Sequence, residues 1–299
     1  SVSKHGVIDK FRNHIMFRII DSRNRVIGFG GRALDEFDVK YMNSPETCVY
    51  KKNKSLFAMN FAKNSKENFV IVVEGYIDCI SLHQAGFTNT VASLGTALTS
   101  FQARILKRYT DKVVIMYDSD EAGIKATLRA IPILKSQSIE VKVLQLDGGK
   151  DPDEYIRANG IKEFKNLLKA CEKGLRWLCT RYADADVIKD PIQREEAKNI
   201  LLELSLIVKD PEDLAYIKNI FIKNFGIAKS DVNDLIKSVK EEKNLKDFKK
   251  ITSSSDSADQ RYFPFIEKNT SSYAYFDKTA DSVHLGVTKD ILSNILLLS

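Results

Sequence analysis

Between residues 69 and 156, short unbroken apolar runs alternate with amphipathic stretches, and this alternation restricts the fold more than any other feature of the chain. A strand wetted on one face alternates apolar with polar residues. Phe69-Val70-Ile71-Val72-Val73 does not alternate, so both its faces are buried, as in a parallel sheet covered by helices. The following segments supply those helices. Ile77, Ile80, Leu82 and Ala85 give an amphipathic helix that stops at Gly86. Thr90-Val91-Ala92-Ser93 is a second strand, and Thr99-Ser100-Phe101-Gln102 is a capping box opening a helix to Tyr109. Val113-Val114-Ile115-Met116-Tyr117 is a third strand, Ala122 to Lys135 a third helix, and Val141-Lys142-Val143-Leu144 a fourth strand. The spacing predicts βαβ units, hence an α/β fold with a parallel sheet flanked by helices.

The flanks read differently. Met16 to Ile20 and Val26-Ile27, with turns at Asp21-Ser22-Arg23-Asn24 and Gly28-Phe29-Gly30-Gly31, predict a hairpin in an α+β part. Asp190-Pro191 and Asp210-Pro211 each place an N-cap before a first-turn proline, and Leu201, Leu204, Ile207 and Val208 form an apolar face. These signals predict a carboxy-terminal helical bundle. Beyond Lys246 the pattern fades into the linker-like Thr252-Ser253-Ser254-Ser255-Asp256-Ser257, with Ile291 to Leu298 a candidate start of another helix. The expected organisation is a basic part over 1–66, a parallel-sheet domain over 67–158, a helical part over 159–245 and a linker-like segment over 246–299.

No stretch approaches eighteen consecutive apolar residues, which excludes a helical membrane span, and Ser1 to Gly6 lacks an apolar signal core. The absence of an initiator Met suits a fragment. Cys48, Cys79, Cys171 and Cys179 are scattered without a CxxC, so no zinc is expected in this chain, and a reducing cytoplasm is. Charge is unevenly divided. Residues 1–66 hold 13 Lys+Arg against 6 Asp+Glu (net +7), residues 67–160 hold 10 against 12 (net −2), and the remainder holds 23 against 22 (net +1). A basic block beside an acidic one fits a polyanion held next to a site that needs carboxylates, or simply a soluble surface.

The acidic residues fall at strand ends. Glu74 directly follows the first strand with Asp78 one helical turn on; Asp118 directly follows the third, with Asp120 two residues later; Asp151 and Asp153 follow the fourth. In a parallel sheet these ends share one edge, where ligands bind. Two carboxylates about 4 Å apart repel by roughly 4 kcal/mol at an effective dielectric near 20. Such a cluster therefore protonates in part or holds divalent cations. Oxygen donors without clustered His suit Mg²⁺ or Mn²⁺, and Mg²⁺ engages phosphate oxygens, which points to phosphoryl-transfer chemistry. The plainer account is that Asp and Glu cap helices after strands; it serves Asp120 or Asp151 taken singly and serves the whole set poorly. Gly75 and Gly123 allow either close approach of phosphate or only tight turns. Ser93-Leu94-Gly95-Thr96-Ala97-Leu98-Thr99 is a candidate anion loop at a helix start, and no GxxxxGK[ST] is present.

Val72-Val73-Glu74-Gly75-Tyr76-Ile77-Asp78, Tyr117-Asp118-Ser119-Asp120-Glu121-Ala122-Gly123 and Lys150-Asp151-Pro152-Asp153-Glu154-Tyr155 resemble the Toprim module, as found in bacterial replicative DNA primases of the DnaG type. Phe11-Arg12-Asn13-His14-Ile15-Met16-Phe17, Val26-Ile27-Gly28-Phe29-Gly30-Gly31-Arg32 and Lys40-Tyr41-Met42-Asn43-Ser44-Pro45-Glu46-Thr47 are similar to segments that belong to the primases and not to other Toprim proteins. The resemblance covers residue 1 to about 240. It implies a DNA-directed RNA polymerase that makes short primers on a single-stranded DNA template from ribonucleoside triphosphates, through an RNA–DNA hybrid. It implies Mg²⁺ or Mn²⁺ organised by Glu74, Asp118, Asp120, Asp151 and Asp153 with Asp78 in support, and catalysis centred on Glu74, Asp118 and Asp120. Arg32, Lys40, Tyr41, Asn43, Lys52 and Lys54 are the implied template and nucleotide contacts, with Tyr41 either stacking on a base or packing in the core. A replicative helicase, met through regions not present here, is the implied protein partner, no membrane is involved, and the implied location is the bacterial cytoplasm at the nucleoid. Two other readings stay open: another Toprim enzyme, a topoisomerase or nuclease, and a non-catalytic nucleic-acid-binding module.

Overall fold

Two antiparallel pieces precede the parallel sheet. In the computed structural model, which describes residues 2–3, 6–7, 9–34, 40–95, 97–146 and 152–252, β1 (Val2–Ser3) pairs with β2 (Gly6–Val7). The expected hairpin is longer and has a third strand: β4 (Val26–Ala33) lies between β3 (His14–Ile20) and β5 (Tyr41–Asn43), and Gly28-Phe29-Gly30-Gly31, expected as a turn, is strand within β4 and pairs with Met16 to Ile19. Its turn is closed by Asp21, whose carboxylate accepts from the Arg23 and Arg25 N–H groups at 2.8 and 3.0 Å. A 3-10 turn at Lys52–Lys54 and a single helical turn, α1 (Met59–Ala62), lead onward. Between them Phe57 and Ala92 exchange backbone hydrogen bonds of 2.9 and 3.2 Å.

The unbroken apolar runs form the centre of the second sheet. β6 (Val70–Val73), β7 (Thr90–Ala92), β8 (Lys112–Ile115) and β9 (Glu140–Val143) are parallel in the order β9-β8-β6-β7, and Phe57 covers the outer edge of β7. β10 (Glu172–Lys173) adds to β9 in the antiparallel sense. That strand has no signature in the sequence, because two exposed charged residues carry no period. The connecting helices are α2 (Tyr76–Gln84), α3 (Ser100–Lys107) and α4 (Glu121–Ser136). α5 (Pro152–Ala170), broken at Gly160, follows, then α6 (Gly174–Tyr182), α7 (Ala185–Lys189), α8 (Pro191–Ile207), α9 (Pro211–Lys223) and α10 (Lys229–Thr252).

Strand side chains alternate between faces, and both faces are apolar here. Val70, Val72, Val113, Ile115, Val141 and Val143 pack with Leu106 of α3, Ile131 and Leu134 of α4 and Trp177 of α6, and this core runs on without a break through Leu201 and Phe221 of α8 and α9. Ile71, Val73, Val114 and Met116 face the other way, against Cys79 and Leu82 of α2 and Phe164 of α5. Asp190 and Asp210 cap α8 and α9 as their Asp-Pro pairs predict. The linker-like segment expected from residue 246 is helical in its first part: α10 continues to Thr252 because Lys240 to Lys250 is dominated by Lys and Glu, both strong helix formers. Residues 253–299, with the candidate helix at Ile291 to Leu298, lie outside the described residues. Among the described residues no helix is long and apolar enough to cross a membrane.

The two sheets meet at Tyr76. Its ring stacks on Phe17 of β3 at 5.4 Å and meets Phe57 edge-on at 4.9 Å, and its hydroxyl donates to Asn43 Oδ1 of β5. Gly30 is the gap that admits this ring, since a Cβ there would sit 2.5 Å from Tyr76 Cζ and 2.6 Å from Oη. Gly30→Ala therefore destabilises the fold by about 1–3 kcal/mol, the usual cost of overpacking, read as a lower urea midpoint at unchanged slope.

Candidate active site

The carboxylates gather where the parallel strands end. Glu74 leaves the end of β6, and Asp118 lies just beyond the end of the neighbouring strand β8. The Asp118 N–H donates to Glu74 Oε1 at 3.3 Å, which fixes one chain end against the other. Glu74 is half-buried, while Asp118 and Asp120 are exposed. Burial, and after it the charge of Asp118, push the Glu74 carboxyl up to about 7 against the lowering pull of the Asp118 N–H; Asp120 and Asp78 add to the rise. Among the described residues no cation figures in that balance.

Asp120 and Asp78 each also hold a helix start. Asp120 Oδ1 accepts from the Gly123 N–H at 2.7 Å at the head of α4, and Asp78 Oδ2 from the Gly75 N–H at 3.2 Å at the head of α2. The capping role weighed for carboxylates after strands is thus real for both, and it leaves each with its charge beside Glu74. Gly123 owes its place to the turn, because a side chain there would strike the Asp118 carbonyl. Asp151 lies outside the described residues, and Asp153 is placed by its backbone in the first turn of α5. Among the described residues no three His, Cys, Asp or Glu groups are arranged to hold a metal ion by themselves. The donor chemistry nonetheless fits a divalent cation: oxygen ligands, mutual repulsion and a half-desolvated Glu74 are the conflict that such an ion removes.

The basic residues fall into two groups. Arg32 of β4 and Lys40 flank Tyr41 of β5, with Arg32 Cζ 5.8 Å and Lys40 Nζ 5.9 Å from its ring centre. Tyr41 is 39% exposed, so it is a surface ring and not a core one. Lys52 and Lys54 lie on the 3-10 turn, which is fastened to α3. Asn43 does something else. Its Oδ1 accepts from Tyr76 and its Nδ2 donates to the Leu94 carbonyl at 3.4 Å, so its amide ties β5 to the carboxylate edge. Leu94, buried in the loop leaving β7, has a left-handed backbone (φ 66°), a strain of about 1–2 kcal/mol for a residue of this kind. Thr99 of that loop caps α3, and Thr96 lies outside the described residues. Sequence reasoning gave Tyr76 no role of its own, since its partners come from β3, β4 and β5.

The chain matches the family model for Toprim-like domains over residues 71–156, and that for the N-terminal domain of the DNA primase catalytic core over residues 1–63. It is 44% identical over 236 residues to the DNA primase of Clostridium acetobutylicum, an alignment that covers 77% of this chain and 39% of that protein. Among solved structures it is similar to the Escherichia coli primase catalytic core (32% identity, TM-score 0.66, covering 76% of this chain and 75% of that one). It is also similar to a DnaG primase catalytic domain bound to single-stranded DNA (32% identity, TM-score 0.63, 73% of each chain). The chain spans about two fifths of the length of its Clostridium relative. It accounts for about three quarters of the solved catalytic cores at more than 30% identity, with both family models falling on it in sequence order, and so it belongs to the DnaG-type bacterial DNA primases.

Proposed function

We propose that this chain is the catalytic core of a DNA primase, which copies single-stranded DNA into short RNA primers by metal-dependent nucleotidyl transfer. The observation that carries the reading is the pair Glu74 and Asp118 on adjacent parallel strand ends, with Glu74 held near neutral pKa by burial and like charge. In this reading residues 1–66 form the template groove, 67–158 the catalytic domain and 159–245 its helical support. Residues 246–299 are in this reading a linker-like segment that opens a helicase-binding tail. The setting is the nucleoid in the bacterial cytoplasm.

In the reaction the primer 3′-hydroxyl attacks the α-phosphate of the incoming ribonucleotide; the new phosphodiester bond forms as the bond to pyrophosphate breaks. Mg²⁺ or Mn²⁺, when bound, stabilises charge on the phosphate oxygens. Glu74, Asp118, Asp120, Asp151 and Asp153 would hold it, with Asp78 in support. A Glu74 carboxyl that titrates near neutral pH is also matched to take up the proton released by the 3′-hydroxyl. Arg32 and Lys40 grip template phosphates beside the exposed Tyr41 ring, on which a base stacks. Lys52 and Lys54 meet the triphosphate or the template backbone. Asn43 is a positioning residue that keeps β5 in register with the carboxylate edge.

Template-dependent incorporation of labelled ribonucleotides in Mg²⁺ or Mn²⁺, with the chain alone and with a primase zinc-binding domain supplied, tests the proposal. Extension of a primer supports it. Strand cleavage or relaxation without extension favours another Toprim enzyme, and binding alone favours a non-catalytic module. For the groove, Lys40→Ala weakens single-stranded DNA binding several-fold and flattens the slope of log K against log salt by about 0.7, the share of one phosphate contact. An unchanged slope in a salt titration overturns that contact.

A further inference from the structure

A second cationic surface lies on α3 and the turn packed against it. Phe101, in the first turn of α3, carries Lys54 Nζ at 4.0 Å and Arg104 Cζ at 4.2 Å from its ring centre. The two heads are therefore no farther apart than those distances laid end to end. Neither has a carboxylate within ion-pair distance among the described residues, and α3 itself contains no acidic residue. Arg108, one helical turn beyond Arg104, is exposed as well, as is Lys51. Like charges at i and i+4 weaken a helix, and a merely solvated face interleaves both signs.

The surface is held rigidly. Thr99 Oγ1 donates to the Asn53 carbonyl at 2.6 Å, and Gln102 Nε2 donates to the carbonyls of Lys52 and Ser55 at 3.2 and 2.8 Å. Gln102 is fully buried, so the 52–54 turn cannot leave α3 without orphaning an enclosed amide. Arg104, held over the ring, keeps the N–H donors at the edge of its guanidinium for an anion, with little rotamer freedom left to lose. α3 begins after the loop that leaves β7, and β7 runs parallel to β6, so Phe101 stands at the same edge of the sheet as Glu74. From there Arg104 and Arg108 run back along the helix, away from the carboxylates.

We propose that Arg104, with Lys54 and the Phe101 ring that carries both, is a second phosphate-gripping contact for single-stranded DNA, leading the template strand over α3 away from the carboxylate edge. It rests on the primase reading. The occupant is a strand and not an acidic protein, because Phe101, the ring at the centre of the patch, is covered by its own two cations and so is not free to anchor a protein interface.

Fluorescence anisotropy with a labelled poly-dT of about 20 nucleotides, titrated with salt, tests it. The double variant Lys54→Gln/Arg104→Gln binds roughly tenfold more weakly and its salt slope falls by about 1.4, two phosphates' worth, at an unchanged Tm. Arg104→Lys keeps the slope while losing part of the affinity, because the charge stays and the planar fork goes. If the double variant lowers Tm, Arg104→Gln alone gives the answer, with a slope reduced by about 0.7. An unchanged slope in these variants beside a flattened one in Lys40→Ala overturns the α3 contact and leaves the primase reading standing. Unchanged slopes in all of them overturn the α3 contact and the Lys40 contact together, while primer extension tests the primase reading separately. A loss confined to duplex DNA also overturns it, since the strand then tracks elsewhere.

Discussion

Asp118→Asn abolishes primer extension, lowering ribonucleotide incorporation by roughly 10³-fold or more, the scale on which a single charge-stabilising group contributes to such a transition state. The substitution keeps the shape of the side chain and removes its charge. Asp118 is exposed, and it is its backbone N–H that bonds Glu74, so the thermal midpoint and the affinity for single-stranded DNA stay close to those of the parent. Incorporation assays run beside melting curves and anisotropy separate the three quantities. Retained turnover at the parental rate overturns the assignment of Asp118 to the catalytic edge. Loss of DNA binding together with activity makes it a structural residue of the groove instead.

Glu74→Gln has two effects of opposite sign. Activity falls by orders of magnitude, while the metal-free protein becomes more stable above neutral pH. The carboxyl is raised from its ordinary 4.5 to about 7 in the folded chain, so the fold binds this proton more tightly than the unfolded chain does. Stability linked to the proton is complete below about 4.5, declines as pH rises, and is lost once pH passes 7. Glutamine removes that loss and keeps an oxygen to accept from the Asp118 N–H. With the half-exposed position discounted for solvent screening, the gain at pH 8 is roughly 1–2 kcal/mol, or a few degrees in Tm, and it vanishes toward pH 4.5. Melting curves in a chelating buffer at the two pH values read it directly. Mg²⁺ or Mn²⁺ then reverses the order, raising the Tm of the parent and leaving that of the variant. A variant less stable at pH 8, or an equal response to metal, overturns the account of a strained carboxylate held ready for a cation.

These predictions rest on features of unequal visibility. The four parallel strands, the helices between them and the Asp-Pro caps were legible because each is written in a local period or a two-residue signal, and the ends differ from expectation by only a residue or two. Glu74 and Asp118 were legible for the same reason: a carboxylate directly after a doubly buried strand has its position set by the sheet. β10 and β5 were not, since two or three residues take strand geometry only when a neighbour offers its edge. Asn43 reads in sequence as a polar surface residue of a basic groove, yet its amide is turned inward onto Tyr76 and Leu94. The Phe101 stack was equally hidden, since Lys54 and Arg104 lie fifty positions apart and meet only when the 52–54 turn folds onto α3.

The sequence by itself determined that a parallel sheet buried on both faces would carry carboxylates along one edge, with a basic block ahead of it, because burial and strand direction follow from patterns within a few residues. Only the tertiary structure decided which of those carboxylates also cap helices, that the proton of Glu74 is held near neutral pH, and which cations face an anion and which face a ring. Those outcomes depend on desolvation and on distances between segments far apart in the chain, and neither exists until the two sheets close on Tyr76.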